Sequence, residues 1–314
     1  MKTIMITGAS GLIGRELTSA LLEKGYNIIA TDNSPSPFTG QPNYTFIQTH
    51  IFDKGKLAPI LETGKVDVLL HLACTVDNDF SNEINDKEMA DSKAADKFIY
   101  KSAVSGGVKD IFILSTTQVY ATQKSREPIR ETADEKPVTN YAKMKSESEQ
   151  ALASCIKNSG VKAVSMRLAP IYTKSYVQNL HAMIYDQKEQ VAYLYREGAY
   201  YFSFCCLYNI IDFILGLFNQ DGKYQYQGIY NICDTKPITA KEIVEFEREF
   251  HRLGPVIQKN ASADSLKAAL SSAGKRPKID YRYVDPSTIT NCVVYDNTKA
   301  QRISTFRWKL SNTK

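Results

Sequence analysis

The chain has 314 residues, 43% hydrophobic and 23% charged, with only 16 glycines and 11 prolines; this excludes fibrous, low-complexity and disordered proteins and leaves room for one large α/β domain or two smaller ones. Its formal charge, 39 minus 34, is +5 without a polybasic run, which gives no footing for nucleic-acid binding. Cys74, Cys155, Cys205, Cys206, Cys233 and Cys292 include no C-x-x-C pair, so neither a metal site nor a disulfide framework is expected, and reduced thiols of a cytoplasmic protein fit best.

The N-terminus enters a strand-like run at residues 3–7 and leaves no room for a signal peptide. Further β-branched runs follow at 27–31, 45–48, 66–72, 110–114 and 163–168, and stretches with apolar residues at helical spacing lie at 11–24, 87–105 and 140–158. Such alternation predicts an α/β fold, a doubly wound parallel sheet with helices on both faces. The regularity ends near Tyr172, where a Tyr-rich stretch begins. Residues 1–172 are therefore assigned to the sheet domain, with a later strand near 228–232 added to it, and 173–314 mainly to a smaller mixed α/β lobe. The apolar run at 210–218 is too short to span a bilayer and contains Asp212, so no membrane role is expected. From residue 250 onward 12 Lys+Arg face 4 Asp+Glu; the excess fits either an attracted anion or a solvated surface.

The first strand runs into Thr7-Gly8-Ala9-Ser10-Gly11-Leu12-Ile13-Gly14 and then a helical stretch. Glycine lets the backbone turn tightly and approach a pyrophosphate, and the helix N-terminus offers free N–H groups. Eighteen residues after Gly14, Asp32 ends the second strand, where a carboxylate accepts the adenosine ribose hydroxyls and repels a 2′-phosphate. No Arg or Lys follows in Asn33-Ser34-Pro35-Ser36, so NAD is favoured over NADP. Asp32 also fits a plain turn residue beside Asn33.

Three Tyr/Lys pairs stand at i, i+4: Tyr120/Lys124, Tyr141/Lys145 and Tyr295/Lys299. Only Tyr141 opens a convincing helix, on which the two side chains share a face. An ordinary tyrosine holds its proton at neutral pH, and the Lys145 ammonium, with the positive nicotinamide nearby, is expected to lower that pKa and make Tyr141 a usable base. A hydroxyl must then hold the substrate oxygen. Strand five ends in Ser115-Thr116-Thr117-Gln118 at the carboxyl edge of the sheet, where open α/β folds bind ligands, and Thr116 is the choice.

With these residues, the chain resembles the extended short-chain dehydrogenase/reductases, in their NAD-dependent epimerase/dehydratase branch. Beyond the glycine loop, the likeness rests on His71-Leu72-Ala73, Ser115 to Tyr120, Tyr141-Ala142-Lys143-Met144-Lys145, Met166-Arg167-Leu168, Gly228-Ile229-Tyr230-Asn231-Ile232 and Asp296-Asn297-Thr298-Lys299-Ala300. The resemblance implies a Rossmann domain carrying a C-terminal substrate lobe. It assigns the pyrophosphate to Gly8, Gly11 and Gly14, the ribose to Asp32, and the adenine-side wall to Leu72 and Ala73, with Ser10, Leu12, Ile13 and Asn33 completing the cofactor set. Tyr141 becomes acid/base and also a cofactor contact, Lys145 also binds the nicotinamide ribose, Thr116 takes the place of the family's Ser/Thr, and Thr117, Gln118, Asn179 and Arg276 are the substrate candidates. A homodimer through the helices at 87–105 and 141–157 is also implied.

The chain departs from that pattern at several positions. His50, with Asp53 three residues on, replaces the usual acid after strand three; Asp91 stands for the usual Asn before strand five, and Pro170 for an Asn after strand six. The family's Gly-x-x-x-Arg-Asp-Phe segment reads Gly198-Ala199-Tyr200-Tyr201-Phe202-Ser203-Phe204, with Phe202 where many nucleotide-sugar enzymes carry an arginine for the substrate diphosphate. Arg276 offers a substitute contact. The expected activity is an NAD-dependent epimerase or dehydratase of a sugar, carried as a nucleotide sugar. The alternatives are a dehydrogenase/reductase of a non-nucleotide polyol or keto compound, and a non-catalytic NAD-sensing protein.

Overall fold

A computed structural model describes residues 2–75, 84–120, 127–186, 190–219, 226–250, 252–259 and 293–314. Arg276 lies outside them. The first six strands are β1 (Thr3–Thr7), β2 (Asn27–Asp32), β3 (Tyr44–Gln48), β4 (Val68–His71), β5 (Asp110–Thr116) and β6 (Lys162–Leu168). Between them run α1 (Leu12–Glu23), α2 (Lys54–Leu61), α3 (Asp86–Ser105) and α4 (Asn140–Ile156).

After β6 come β7 (Ile171–Tyr172), α5 (Gln178–His181), β8 (Tyr185–Asp186), β9 (Val191–Tyr195), β10 (Tyr201–Phe202), β11 (Cys205–Cys206) and α6 (Leu207–Phe218). The chain continues through β12 (Gly228–Ile232), β13 (Ile238–Thr239), α7 (Ala240–Glu249), β14 (Val256–Lys259) and α8 (Thr298–Gln301).

Seven strands form one parallel sheet in the order β12-β6-β5-β4-β1-β2-β3. Strand side chains alternate between faces. Ile4 and Ile6 of β1 meet Leu17 and Leu21 of α1 and Ile210, Phe213 and Ile214 of α6 on one face. Met5 meets Leu57 of α2, Ile99 and Tyr100 of α3 and Leu152 of α4 on the other. The lobe has its own core of Tyr172, Leu180, Leu194, Phe202, Phe204, Ile243 and Phe246. Three small sheets frame it: β10-β13, β11-β7 and β14-β9-β8.

The helix α2 is absent from the sequence reading because it is short and carries Pro59. The residue whose carbonyl a proline ring would crowd, four positions earlier, is Gly55. Asp53 caps this helix, accepting the Lys56 N–H at 3.1 Å, and His50 stacks on Phe52 at the surface. Both departures noted after strand three are thus engaged in local structure.

The strand order reverses at β1, which lies between β4 and β2. The crevice beyond the carboxyl ends of β1 and β4 is where open α/β sheets take ligands.

Candidate active site

β1 ends at that crevice in the glycine loop. Gly8 has φ +75° and lies against strand β4's continuation: a Cβ there would stand 2.7 Å from the Ala73 nitrogen. A Cβ on Gly14 would stand 2.1 Å from the Gly8 carbonyl oxygen, so the start of α1 can close on the loop only with glycine. Gly11 differs, since its Cβ would meet only the Gly8 oxygen at 3.4 Å. The protein leaves space there, on the side a cofactor's pyrophosphate would approach. Gly11 is also the N-cap of α1 and offers no side-chain cap, so the first-turn N–H groups of Leu12, Ile13 and Gly14 remain for an anion.

Asp32 closes the loop's far side. Its Oδ2 accepts the Ser10 N–H at 2.9 Å and its Oδ1 the Ser34 N–H at 2.9 Å. The turn reading and the ribose reading are therefore compatible, because each carboxylate oxygen keeps a second lone pair. Ser10 spends its hydroxyl on the carbonyls of Ser34 and Pro35, and Gln48 donates to the Asn33 carbonyl at 2.9 Å. This glycine cradle, with its uncapped helix start and terminal carboxylate, fits a dinucleotide.

The opposite wall comes from α4. Thr139 caps it by accepting the Ala142 N–H at 3.1 Å, which puts Tyr141 in the first turn and Lys145 one turn on. The Lys145 Nζ lies 5.9 Å from the Tyr141 ring centroid and donates to the Leu114 carbonyl of β5 at 3.0 Å. A second Lys145 hydrogen bond goes to the Cys74 thiol. Burial works against the Lys145 charge, yet Cys74, Tyr141 and Asp96 hold its pKa above the ordinary value.

Tyr141 is acted on by one of the two charges expected to lower its pKa, that of Lys145. Burial pushes its phenol up, the Lys145 charge pulls it down by less, and Cys74 adds to the rise. In the chain by itself the Lys145 charge does not outweigh burial at Tyr141.

Thr116 ends β5 and is buried, and its Oγ1 accepts the Gln118 N–H at 3.2 Å, leaving its own proton to donate. Thr117 departs from its expected role as a substrate contact. It is only 2% exposed, donates to the Leu168 carbonyl at 3.3 Å and bonds Tyr295, so it faces the interior. Gln118 is exposed on the short turn after β5. Asn179 donates its amide to the Ile171 carbonyl at 2.7 Å, tying α5 to β7. Phe202 is buried in the lobe core beside Tyr200 and Phe204.

Two residues that the sequence reading passed over stand at the base of the site. Asp91 is exposed and pairs with Lys87, whereas Ser92 and Asp96 point inward, Ser92 meeting Thr75 at 3.0 Å and Asp96 meeting His71 at 3.0 Å. The signal was present: an acid on the stripe of α3 that also carries Ala95, Ile99 and Tyr100. Cys74, next to the quoted His71-Leu72-Ala73, was the other.

A cavity of about 520 Å³ opens at the opposite, amino edge of the sheet, lined by Lys2, Lys109, Asp110, Lys162 and Tyr226. α3 and α4 end beside it, and helix C-termini disfavour anions, so those lysines offset the helix ends. Among the described residues no cluster of His, Cys, Asp or Glu is arranged for a metal ion, and no helix is long and apolar enough to cross a membrane.

A profile of the NAD dependent epimerase/dehydratase family matches residues 4–233. Curated relatives include a dTDP-D-glucose 4,6-dehydratase of Dictyostelium discoideum, 26% identical over an alignment of 203 residues that covers 57% of this chain and 46% of that protein. The dTDP-4-dehydro-6-deoxyglucose reductase of Escherichia coli is 25% identical over 178 residues, 54% of this chain and 55% of that one. The chain spans about half the length of these relatives. Among solved structures, a UDP-glucuronic acid 4-epimerase from Bacillus cereus in complex with NAD superposes with a TM-score of 0.73 at 17% identity, covering 99% of this chain and 95% of that one. That likeness is one of fold.

Proposed function

The chain belongs to the NAD-dependent epimerase/dehydratase family, and from that premise we propose that it epimerises or dehydrates a sugar carried on a nucleotide. The observation that carries this reading is Tyr141, one helical turn before a charged, doubly anchored Lys145 and across the crevice from the glycine cradle. NAD, when bound, supplies a hydride acceptor and, in its oxidised form, the further positive charge that Tyr141 needs to become a base. Gly8, Gly11, Gly14 and the first turn of α1 would hold its pyrophosphate, Asp32 its adenosine ribose, and Leu72 and Ala73 the adenine side.

Tyr141 takes the proton of the reacting sugar hydroxyl, and Thr116 donates a hydrogen bond to the same oxygen. Lys145 has three N–H donors, of which Leu114 and Cys74 take two. The third serves the nicotinamide ribose. Residues 173–314, apart from α6 and β12 that join the sheet domain, mainly form the lobe that takes the sugar, with Gln118 and Asn179 at its border and Arg276 as its candidate phosphate contact. The protein works as a cytoplasmic homodimer through α3 and α4; its described cysteines, Cys74, Cys155, Cys205, Cys206 and Cys233, are free thiols.

Phe202 favours a second reading. A buried phenylalanine cannot grip a diphosphate, which suits a dehydrogenase or reductase of a non-nucleotide polyol or keto compound. A pure NAD sensor has no use for the Tyr141/Lys145 pair. Denaturing freshly purified protein and weighing the released small molecules separates these readings. NAD or NADH near one per chain, followed by conversion of UDP- or dTDP-hexoses seen by NMR, supports the first. An empty protein that turns over polyols or keto acids overturns it in favour of the second.

A further inference from the structure

Asp96 lies on the interior stripe of α3 and is 8% exposed, a position that a carboxylate occupies only with partners. Its Oδ1 stands 3.0 Å from His71 Nε2. The His71 Nδ1 stands 2.7 Å from Thr7 Oγ1, which accepts the Ala73 backbone N–H at 3.3 Å. The Asp96 carboxylate can only accept, so His71 turns an Nε2 proton to it, and Nδ1 pairs with the Thr7 hydroxyl, which has its own proton and a second lone pair to offer. On the other side Ser148 of α4 bonds Asp96 and meets the Tyr100 hydroxyl at 2.7 Å. Ser148 and Lys145 stand at i, i+3 and so share a face of α4. The network thus joins the base of the Lys145 helix to the backbone of Ala73, which forms the wall against Gly8.

Around this carboxylate the charged and titratable groups are His71 from β4, Cys74 from the segment after it, Tyr100 from α3 and Lys145 from α4; Cys155 of α4 acts on Tyr100, and Tyr141 is reached by way of Lys145. Burial works against the Asp96 charge, but the His71 and Ser148 hydrogen bonds and the Lys145 ammonium bring its pKa below the ordinary carboxylate range. Asp96 and Lys145 each favour the charged form of the other.

We propose that Asp96 is a positioning residue of the active site: through His71 and Thr7 it fixes the Ala73 wall, and through its charge it offsets part of the Lys145 field that acts on Tyr141. This rests on the acid/base reading of Tyr141. The chemistry gives the reason. An acid/base that takes a proton and returns it within one cycle must not be locked as phenolate, and two neighbouring cations, Lys145 and an oxidised nicotinamide, would favour that state. A buried carboxylate behind Lys145 returns the balance toward the middle.

The test is the titration of Tyr141 itself, read by NMR of ring-labelled tyrosine in the NAD-loaded protein and assigned by the resonance missing in Tyr141→Phe. Asp96→Asn keeps a hydrogen-bonding side chain and removes the charge. The Tyr141 midpoint is then expected to fall by about half a unit or more, and the acid limb of kcat to move the same way, with KM within about twofold. Asp96→Glu, which keeps the charge, restores most of the shift. Should the asparagine variant not fold, Asp96→Ser removes the charge from a smaller side chain and gives the same readout. Thr7→Val leaves the Tyr141 midpoint in place but weakens NAD binding several-fold, because only the wall is loosened.

An unmoved or raised Tyr141 midpoint in a folded Asp96→Asn protein overturns the charge role, even if its melting temperature falls. Unchanged NAD affinity in Thr7→Val overturns the wall role. Both readouts are independent of turnover. Failure of the acid/base reading, in which Tyr141→Phe turns over normally, is thereby distinguished from failure of this proposal.

Discussion

Two buried carboxylates, Asp96 and Asp234, meet opposite fates. Asp96, under the cofactor side, faces His71 and the Lys145 ammonium and is held below its ordinary pKa. Asp234 follows β12 where the sheet meets the lobe, and its partners are the Tyr172 hydroxyl at 2.6 Å, the Cys206 N–H at 2.9 Å and the Asn209 amide at 2.8 Å. All three are neutral donors, and burial lifts Asp234 to about 6. The same side chain therefore stays charged where a cation faces it and is reluctant where only dipoles do. The sheet side is built to hold charge, as Arg167 between Glu149 and Glu135 also illustrates. The border of the lobe, lined by Tyr172, Phe202 and Phe204, is built from aromatic packing.

The largest effect that breaks this contrast is Arg167→Ala. Arg167 is fully buried, pairs with Glu149 at 2.7 Å and also with Glu135, and lies 4.8 Å from the Tyr120 ring. Removing it strands the buried Glu149 carboxylate, and denaturant unfolding should give a loss of about 3–5 kcal/mol. The Asp234 pH dependence comes next. The folded chain holds the Asp234 proton more tightly than the unfolded one, so this contribution is full below about pH 4 and is lost as pH rises through about 6, near 3 kcal/mol in all. In Asp234→Asn that slope should vanish between those pH values. Asp96 has the opposite sign: its contribution is present above the ordinary carboxylate pKa and is lost as pH falls through its lowered value.

The smallest effect concerns specificity. Asp32→Ala should weaken NAD about tenfold and narrow the preference over NADP, measured by calorimetric titration of both. The variant also releases the Ser10 and Ser34 N–H groups, so some loosening of the loop accompanies it.

The sheet and the cofactor loop were legible in the sequence because their signals are local. Strand runs, helix spacing and the glycine triplet each act within a few residues, and Tyr141 and Lys145 are one turn apart on one helix. What escaped depends on distance through the fold. Nothing near Asp96 in sequence announces His71, 25 residues away. Thr116 and Thr117 read alike as adjacent hydroxyls at a strand end, and only the short turn at Thr117–Val119 sends the second into the interior toward Tyr295. The surroundings of Tyr141 are only partly legible for the same reason: its lysine is a local feature, but its burial is a property of the whole cleft. The lobe's two- to five-residue strands carry too little periodicity to be read from sequence.

The central claim is that Tyr141 moves the substrate proton, while the hold on the cofactor rests mainly on the glycine loop, Asp32 and Lys145. Its most direct test compares Tyr141→Phe with the unaltered protein, measuring turnover of the sugar substrate together with the NAD retained per chain. A fall in kcat of about a hundredfold or more with NAD content unchanged is the predicted result. Turnover equal to that of the unaltered protein would contradict it.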